Sequence, residues 1–376
     1  MRIAFYAPLK SPDHPTPSGD RQIARLLLKA LDTVGHETTV VSRFRTFDRG
    51  GDRERQLRMR SIGRRLAARL VERLGRIPRP DVWFTYHVHH KAPDLLGRAV
   101  SDGLGIPYVI VEASVAQKQR QGPWAAGYAD ALAAIQSADT IVSLNPADIG
   151  GVVRTRAPGA DSDSLAPFID VAAFRGRMGG HATRLRSAGS FARLVTVGMM
   201  REGAKLASYR LLASALARLR DLRWSLRVVG DGPARREVEQ AFGELRDRVT
   251  FVGARSSEDI AGELADSDLL LWPAIDEAFG VTFLEAQACG VPVVGAATPG
   301  VAAVVAAGRT GLLAPVGDID AFASATRELI VDDARRLRMG EAAQAYVRAH
   351  HDLPLAAAHL DQILRGVVAR RAVVRL

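Results

Sequence analysis

Residues 270–295 read LLWPAIDEAFGVTFLEAQACGVPVVG, and the pattern of this stretch sets the fold. An apolar run gives way to a loop, a helical stretch opens near Val281, Gly290 follows its last turn, and a second apolar run, VPVVGA (291–296), comes next. Glycine just past the last periodic residue is a helix stop, so the unit reads strand, loop, helix, strand. Strands apolar nearly throughout are covered on both faces, the condition of a parallel sheet. Two carboxylates stand eight positions apart at the mouth of this unit, Glu277 in the loop and Glu285 about one turn inside the helix. A helix N-terminus offers unpaired amides and partial positive charge, which suit a phosphate. A carboxylate accepts two hydrogen bonds from a vicinal diol, as a sugar or ribose presents. On spacing alone a second reading stays open, in which Glu277 caps the helix and Glu285 lies on a solvated face.

The same alternation extends in both directions. Earlier runs are RIAFYA (2–7), TTVVS (38–42), DVWFTY (81–86), YVIVEA (108–113) and TIVSLN (140–145); later ones are LVTVG (194–198), SLRVVG (225–230), VTFVG (249–253) and DLLLWPA (268–274). Helical stretches such as RQIARLLLKALDTVG lie between them. Apolar strands alternating with helices predict a doubly wound α/β arrangement, and two sets predict two Rossmann-like domains. The Gly, Ser and Asp content of 158–190, with no strand of comparable strength, places the linker there. The expected domains are 1–170 and 171–356, with a C-terminal helix at about 357–376 returning to the first. Ligands bind beyond the carboxyl ends of parallel strands, so the two domains are expected to share a cleft.

A chain of 376 residues exceeds what one core usually serves, which agrees with two domains. A single cysteine, Cys289, excludes an intramolecular disulfide and any multi-thiolate metal site, and His36 and Cys289 read as structural. MRIAFYAPLKSPDHP is too short an apolar run for a signal peptide, so a cytoplasmic location is expected. The net charge of +10 is uneven: from Arg43 to Arg79, thirteen arginines face Asp48, Asp52, Glu54 and Glu72, a local excess of +9. Leu57, Ile62, Leu66, Leu70 and Leu74 recur there at near-helical spacing, predicting an amphipathic helix with an arginine-rich face. That face reads as solvated, or as meeting an anionic membrane surface or a phosphorylated acceptor, with peripheral attachment at the inner face of a membrane in the second case. Nucleic acid is disfavoured because no aromatic residues interleave with the arginines.

The doubled glutamate with its Phe-Gly and Ala-Cys-Gly-Val-Pro-Val-Val context resembles the E-x7-E signature of the family 4 retaining glycosyltransferases, which have the GT-B fold. SGDRQIARLLLKALDTVGHETTVVS (18–42), LAPFIDVAAF (165–174), LRVVGDGPARREVE and TGLLAPVGDIDAFASA are similar to further parts of that family's pattern. The resemblance implies two Rossmann-like domains facing each other across a cleft, and transfer of a sugar from a nucleotide diphosphate sugar with retention. It implies that Glu285 holds the ribose hydroxyls, that Glu277 lies beside the transferred sugar, and that the amides of Phe279, Gly280, Val281 and Thr282 contact sugar and diphosphate.

A leaving diphosphate gathers negative charge, so fixed cations belong beside it. Arg201 and Lys205 in MMREGAK follow LVTVG where the family carries its Arg and Lys, although Met199 fills the usual Arg position and Lys205 comes one residue late. Pro17, Ser18, Gly19 and Asp20 follow the first strand, and a bare Gly19 would let backbone approach phosphates or acceptor. The dinucleotide fingerprint G-x-G-x-x-G is missing after RIAFYA, against a nicotinamide enzyme. His87, His89 and His90 cluster after DVWFTY without the thiolates or carboxylates of a metal site, leaving His87 as a candidate for acceptor or sugar. Many relatives carry a histidine after the fourth strand, where this chain has Glu112, Ala113 and Ser114. No Asp-x-Asp pattern stands out, so metal-independent chemistry with no cofactor is expected. A sugar-nucleotide epimerase of the same fold and a non-catalytic sugar-binding protein remain as alternatives; base, sugar, acceptor and oligomeric state stay open.

Overall fold

The computed structural model of the chain describes residues 1–16, 18–76, 78–178 and 191–373. Two units divide it: Met1–Leu165 with the residues from Leu353 onward, and Ala166–Asp352.

The first unit runs β1 (Arg2–Tyr6), α1 (Gly19–Thr33), β2 (Glu37–Ser42), α2 (Arg53–Arg76), β3 (Val82–Val88), α3 (Gly97–Leu104), β4 (Tyr108–Ala113), α4 (Ala125–Ser137), β5 (Thr140–Ser143), α5 (Pro146–Thr155) and β6 (Asp161–Ser164). The second runs α6 (Val171–Gly176), β7 (Ala192–Val197), α7 (Ala204–Ala217), β8 (Trp224–Val229), α8 (Arg235–Ala241), β9 (Val249–Gly253), α9 (Ser257–Ala265), β10 (Leu269–Trp272), α10 (Val281–Ala288), β11 (Val293–Ala296), α11 (Pro299–Ala302), β12 (Gly311–Ala314), α12 (Ile319–Val331) and α13 (Asp333–His350). The last helix, α14 (Leu353–Val373), belongs to the first unit and packs on α1. Its Arg371 reaches Asp139 at 3.0 Å, and its Asp361 lies 3.0 Å from the buried His36. His36 is therefore a packing residue, as the sequence suggested.

Each sheet is six-stranded and parallel, in the order β2-β1-β3-β4-β5-β6 and β12-β11-β10-β7-β8-β9. Their central strands are the near-continuous apolar runs: Val109, Ile110 and Val111 in one and Leu269, Leu270 and Leu271 in the other are completely buried. Helices begin where short polar side chains supply the missing acceptors. Asn145 caps α5 ahead of Pro146, and Ser256 and Asp259 form a reciprocal capping box on α9.

All ten strand runs read from the sequence are present, and two further strands were missed. β6 is DSDS, wholly exposed and paired only with β5, so it carries none of the apolar signal of a covered strand. It lies inside the stretch read as a linker, as does α6; residues 179–190 of that stretch lie outside the described ones. β12 is GLLA, four residues at the opposite sheet's edge.

The basic helix exists as α2, but its buried stripe is corrected. Gln56, Met59, Gly63, Ala67, Leu70 and Leu74 face the core, while Leu57 is 48% exposed. Small residues win at Gly63 because the helix backbone lies close to Leu95: an added Cβ would come within 2.9 Å of the Leu95 Cβ. Arg58, Arg64, Arg65 and Arg69 are exposed and form no ion pair among the described residues. No described helix is long and apolar enough to cross a membrane.

Candidate active site

In the second unit the candidate residues gather where β7 and β10 end. Trp272 closes β10, and the chain turns through Glu277 to Gly280 before α10 begins. Gly280 is the N-cap in the left-handed region, at φ 61°, and a Cβ there would lie 2.6 Å from Val304 Cγ2. Only glycine takes that position without strain. The loop also leans on α11: a Cβ on Gly300 would be 2.3 Å from the Glu277 carbonyl oxygen and 2.4 Å from that of Ala278. The first-turn amides of Val281 and Thr282 have no acceptor within α10, as at any helix start.

Lys205 stands in the first turn of α7 and donates to Glu277 Oε2 at 2.8 Å, with its Nζ 5.1 Å from the Trp272 ring centroid. Their side chains are 31% and 21% exposed, so the pair is reachable from solvent while its stems are packed. The helix-capping reading of Glu277 thus fails, because the carboxylate is turned to Lys205 and α10 has no side-chain cap. Arg201 is exposed in the β7–α7 connection, where its carbonyl accepts from Leu206. That connection runs tightly along the one after β8: Cβ atoms on Gly230 and Gly232 would fall 1.9 Å from the Gly198 and 2.2 Å from the Met200 carbonyl oxygens.

Glu285 is 7% exposed on α10, so the solvated-face reading fails as well. It lies near Cys289, whose thiol is pushed up to about 12 by burial first and by the Glu285 carboxylate second, with Arg175 opposing. Cys289 is a buried packing residue.

The first unit supplies a second polar cluster, only partly foreseen. His87 Nδ1 and Asp20 Oδ1 are 2.8 Å apart, linking the end of β3 to the start of α1. Burial pulls the imidazole's pKa down, but the hydrogen bond and charge of Asp20, with Glu112 and Asp148 nearby, outweigh it and leave it raised. Burial pushes Asp20 up, and His87 and Lys10 more than reverse this. Glu112 is buried, and its Oε2 accepts from the Leu144 and Asn145 amides at 2.7 and 3.0 Å. Burial raises its pKa to about 7 despite those bonds and His87.

His87 and Glu112 both have positive φ, 64° and 65°. They occupy one rung of adjacent strands, since Tyr86 pairs with Val111 and Val88 with Ala113. Sequence reasoning missed this shared break; a lone Glu in the apolar YVIVEA was the available signal. Gly19 is the first residue of α1, behind the N-cap Ser18, and a Cβ there would meet no protein atom within 4 Å. Pro17 lies outside the described residues. The His89 ring lies tilted against that of His87 with centroids 4.9 Å apart, and burial drives its pKa well down. Among the described residues no group of three or more His, Cys, Asp or Glu is arranged to hold a metal ion.

Two parallel, helix-covered sheets in separate units match solved structures along their whole length. A sucrose-phosphate synthase from Thermosynechococcus elongatus superposes with a TM-score of 0.74 over 98% of this chain and 99% of that one, at 18% identity. The architecture is the GT-B fold. Residues 192–332 match the model of the family described as Glycosyl transferases group 1. A D-inositol 3-phosphate glycosyltransferase from Corynebacterium jeikeium is 33% identical over 205 residues, 52% of this chain and 47% of that protein. A GDP-mannose-dependent monoacylated alpha-(1-6)-phosphatidylinositol monomannoside mannosyltransferase from Corynebacterium glutamicum is 33% identical over 38% of this chain and 39% of that protein. The chain spans about half or less of the length of these curated relatives. The resemblance read from the sequence agrees with these likenesses: residues 192–332 are similar to the glycosyl transferases group 1 model, and the fold is that of GT-B structures.

Proposed function

We propose that the chain is a retaining glycosyltransferase that moves a sugar from a nucleotide diphosphate sugar to a hydroxyl acceptor. The observation that carries this reading is the Lys205–Glu277 pair beside the start of α10, a cation and a carboxylate next to first-turn amides. In it, Lys205 and Arg201 bind the diphosphate, Glu277 lies beside the transferred sugar, and Glu285 holds the ribose. Phe279, Gly280, Val281 and Thr282 present backbone to sugar and phosphate, Gly19 lets backbone approach the donor's phosphates or the acceptor, and His87 binds acceptor or sugar. The bond from the anomeric carbon to the phosphate oxygen breaks, the bond to the acceptor oxygen forms on the same face, and the acceptor's proton passes to the leaving diphosphate. The chemistry needs no protein base and, in this reading, neither metal nor cofactor. Fixed positive charge at the leaving group lowers the barrier because it is in place before charge develops.

The matched relatives, named for D-inositol 3-phosphate and for a phosphatidylinositol mannoside, favour a phosphorylated or lipid-linked polyol as acceptor. The unpaired arginines of α2 favour contact with an anionic membrane surface, which would place the protein at the cytoplasmic face of a membrane. Beside them lies a groove lined by Phe44, Arg45, Asp52, Arg55, Arg58, Met59 and Ile62, three arginines against one carboxylate.

Thermal melting with UDP-, GDP- and ADP-sugars, followed by nucleotide release and the anomeric configuration of the product, tests the reading. A stabilising donor, nucleotide release and a retained anomer are expected. Epimerised free sugar made without an acceptor moves the assignment to an epimerase; no nucleotide-sugar binding at all removes it.

A further inference from the structure

β10 reads LLLW, and its last residue differs in kind from the three leucines before it. Trp272 is 1% exposed, yet its indole borders the candidate charges, with Lys205 Nζ over the ring at 5.1 Å from the centroid. Tyr209, one turn further along α7 than Lys205, sets its ring at 67° to the indole with centroids 5.0 Å apart, and its hydroxyl donates to the Gly198 carbonyl oxygen at 2.7 Å. A Cβ on Gly198 would come within 3.3 Å of the indole and 3.2 Å of that hydroxyl. After Trp272 the chain turns through Ala274 at φ 50°, and the Ile275 amide donates to Ser208 Oγ, also on α7, at 3.2 Å. A non-glycine residue stays in the left-handed region only where its surroundings fix it. The indole is thus held from the ends of β7 and β10 and from α7.

The lysine, by contrast, is a point charge on a flexible four-carbon stem. Its partly exposed ion pair with Glu277 does little to hold two long side chains in one geometry, and in the transferase reading that carboxylate also serves the transferred sugar. A carboxylate, moreover, cancels the field of the ammonium it holds. An aromatic face attracts a cation through its quadrupole while having no net charge of its own.

We propose that Trp272 is a positioning residue: braced by Tyr209, its ring face holds the Lys205 ammonium in place for the diphosphate and leaves its charge undiminished. This role rests on the transferase reading and adds to it the group that sets the direction of its lysine.

The chain has five lysines, Lys10, Lys29, Lys91, Lys118 and Lys205, so NMR of the full chain with isotope-labelled lysine tests the assignment, Lys205→Arg marking the Lys205 signal by its loss. The indole's ring current is expected to move the Lys205 ε-methylene signal upfield of those of exposed lysines. Lys91, whose Nζ lies 4.9 Å from the Trp124 ring centroid in the first unit, is the internal control. Trp272→Leu, first shown to melt cooperatively, is expected to abolish the Lys205 shift, to leave Lys91 unchanged and to weaken inorganic pyrophosphate about ten-fold at the Lys205 signal. Trp272→Phe is expected to fall between, and replaces the leucine variant if that one fails to fold. With a donor, Trp272→Leu is expected to lower kcat about ten-fold with the donor KM nearly unchanged, and to lower it no further in a Lys205→Met background.

A wild-type Lys205 signal among those of exposed lysines would overturn the role, as would pyrophosphate that binds the wild type no more tightly than Trp272→Leu. An equal fall in kcat with and without the lysine would also overturn it and make Trp272 a packing residue. The two readings fail separately. A protein whose Lys205 answers pyrophosphate in this way but which takes no nucleotide sugar keeps Trp272 at an anion site and loses the transferase, while a transferase whose kcat ignores Trp272 loses this role alone.

Discussion

The strand ends of the two units are built of opposite materials. Around the candidate donor site, left-handed turns fall on glycines: Gly203, Gly230, Gly232 and Gly280, with Ala274 at φ 50° the one exception. The candidate charges there are paired, Lys205 with Glu277. In the first unit the left-handed positions fall on His87 and Glu112, and a carboxylate and a phenol are buried incompletely satisfied. Glycine enters that region at no steric cost, whereas a side chain must be forced into it. The second unit's candidate site thus places its left-handed turns mostly on glycine, whereas the first unit's cluster stores strain and desolvation.

If this contrast is right, substitutions at the two places should differ in kind. Lys205→Ala is expected to lower turnover by about a hundred-fold or more while changing donor affinity less, because the lysine acts on charge that grows in the transition state. Glu285→Ala should do the reverse, raising the donor's KM roughly ten-fold with a smaller change in kcat, since ribose hydrogen bonds are made equally before and during reaction. Steady-state kinetics with the donor found by thermal screening checks both. Unchanged kinetics in both variants would remove these residues from the site.

In the first unit a substitution should stabilise. Glu112 has a folded pKa near 7 against 4.5 for the free group. A carboxyl raised in this way contributes its full stability below about pH 4.5, and that contribution is lost as pH climbs through 7. The ionised form therefore costs the folded state on the order of 3 kcal/mol at pH 8. Glu112→Gln retains an oxygen for the Leu144 and Asn145 amides but carries no charge, so its melting temperature should exceed the wild type's at pH 8 and match it near pH 4.5. A variant less stable than wild type at pH 8 would show that the carboxylate is compensated after all.

How much could be read beforehand follows the same division. Ten strands were visible because central parallel strands are apolar on both faces, while DSDS of β6 was not, its side chains being exposed at a sheet edge. Glu277, Glu285 and Lys205 were singled out through the resemblance to the glycosyltransferase pattern, spacing alone having left capping and solvated-face readings of the two glutamates open. The Asp20–His87 contact joins residues 67 positions apart, and the common rung of His87 and Glu112 depends on strand register, neither of which leaves a local pattern. The stripe of α2 was misjudged because spacing alone favours leucines, whereas the backbone's approach to Leu95 favours Gly63.

The exposed face of α2 belongs to neither kind of site, since Arg58, Arg64, Arg65 and Arg69 are exposed and form no ion pair among the described residues. If it meets anionic lipid, Arg65→Gln should reduce sedimentation with phosphatidylserine vesicles by about five-fold at low salt, near 1 kcal/mol for one charge. The difference should shrink as salt is added. Equal sedimentation of both proteins at low salt would assign the face to solvent.

Gly19 tests whether glycine in a site always reports a need of the fold. Unlike Gly280 or Gly300, it has ordinary helical backbone, and an added Cβ would touch nothing within 4 Å. Gly19→Ala should therefore leave the melting temperature unchanged or raise it slightly, by up to about 1 kcal/mol of unfolded-chain entropy. A fall in kcat/KM with stability retained would mean that the methyl occupies space a ligand needs, and Gly19 would then be bare for binding alone. A fall in stability would contradict the open surroundings seen here, and no change in either quantity would remove Gly19 from the site. Since the fold makes no demand at this position, any loss of activity has to come from contact with substrate.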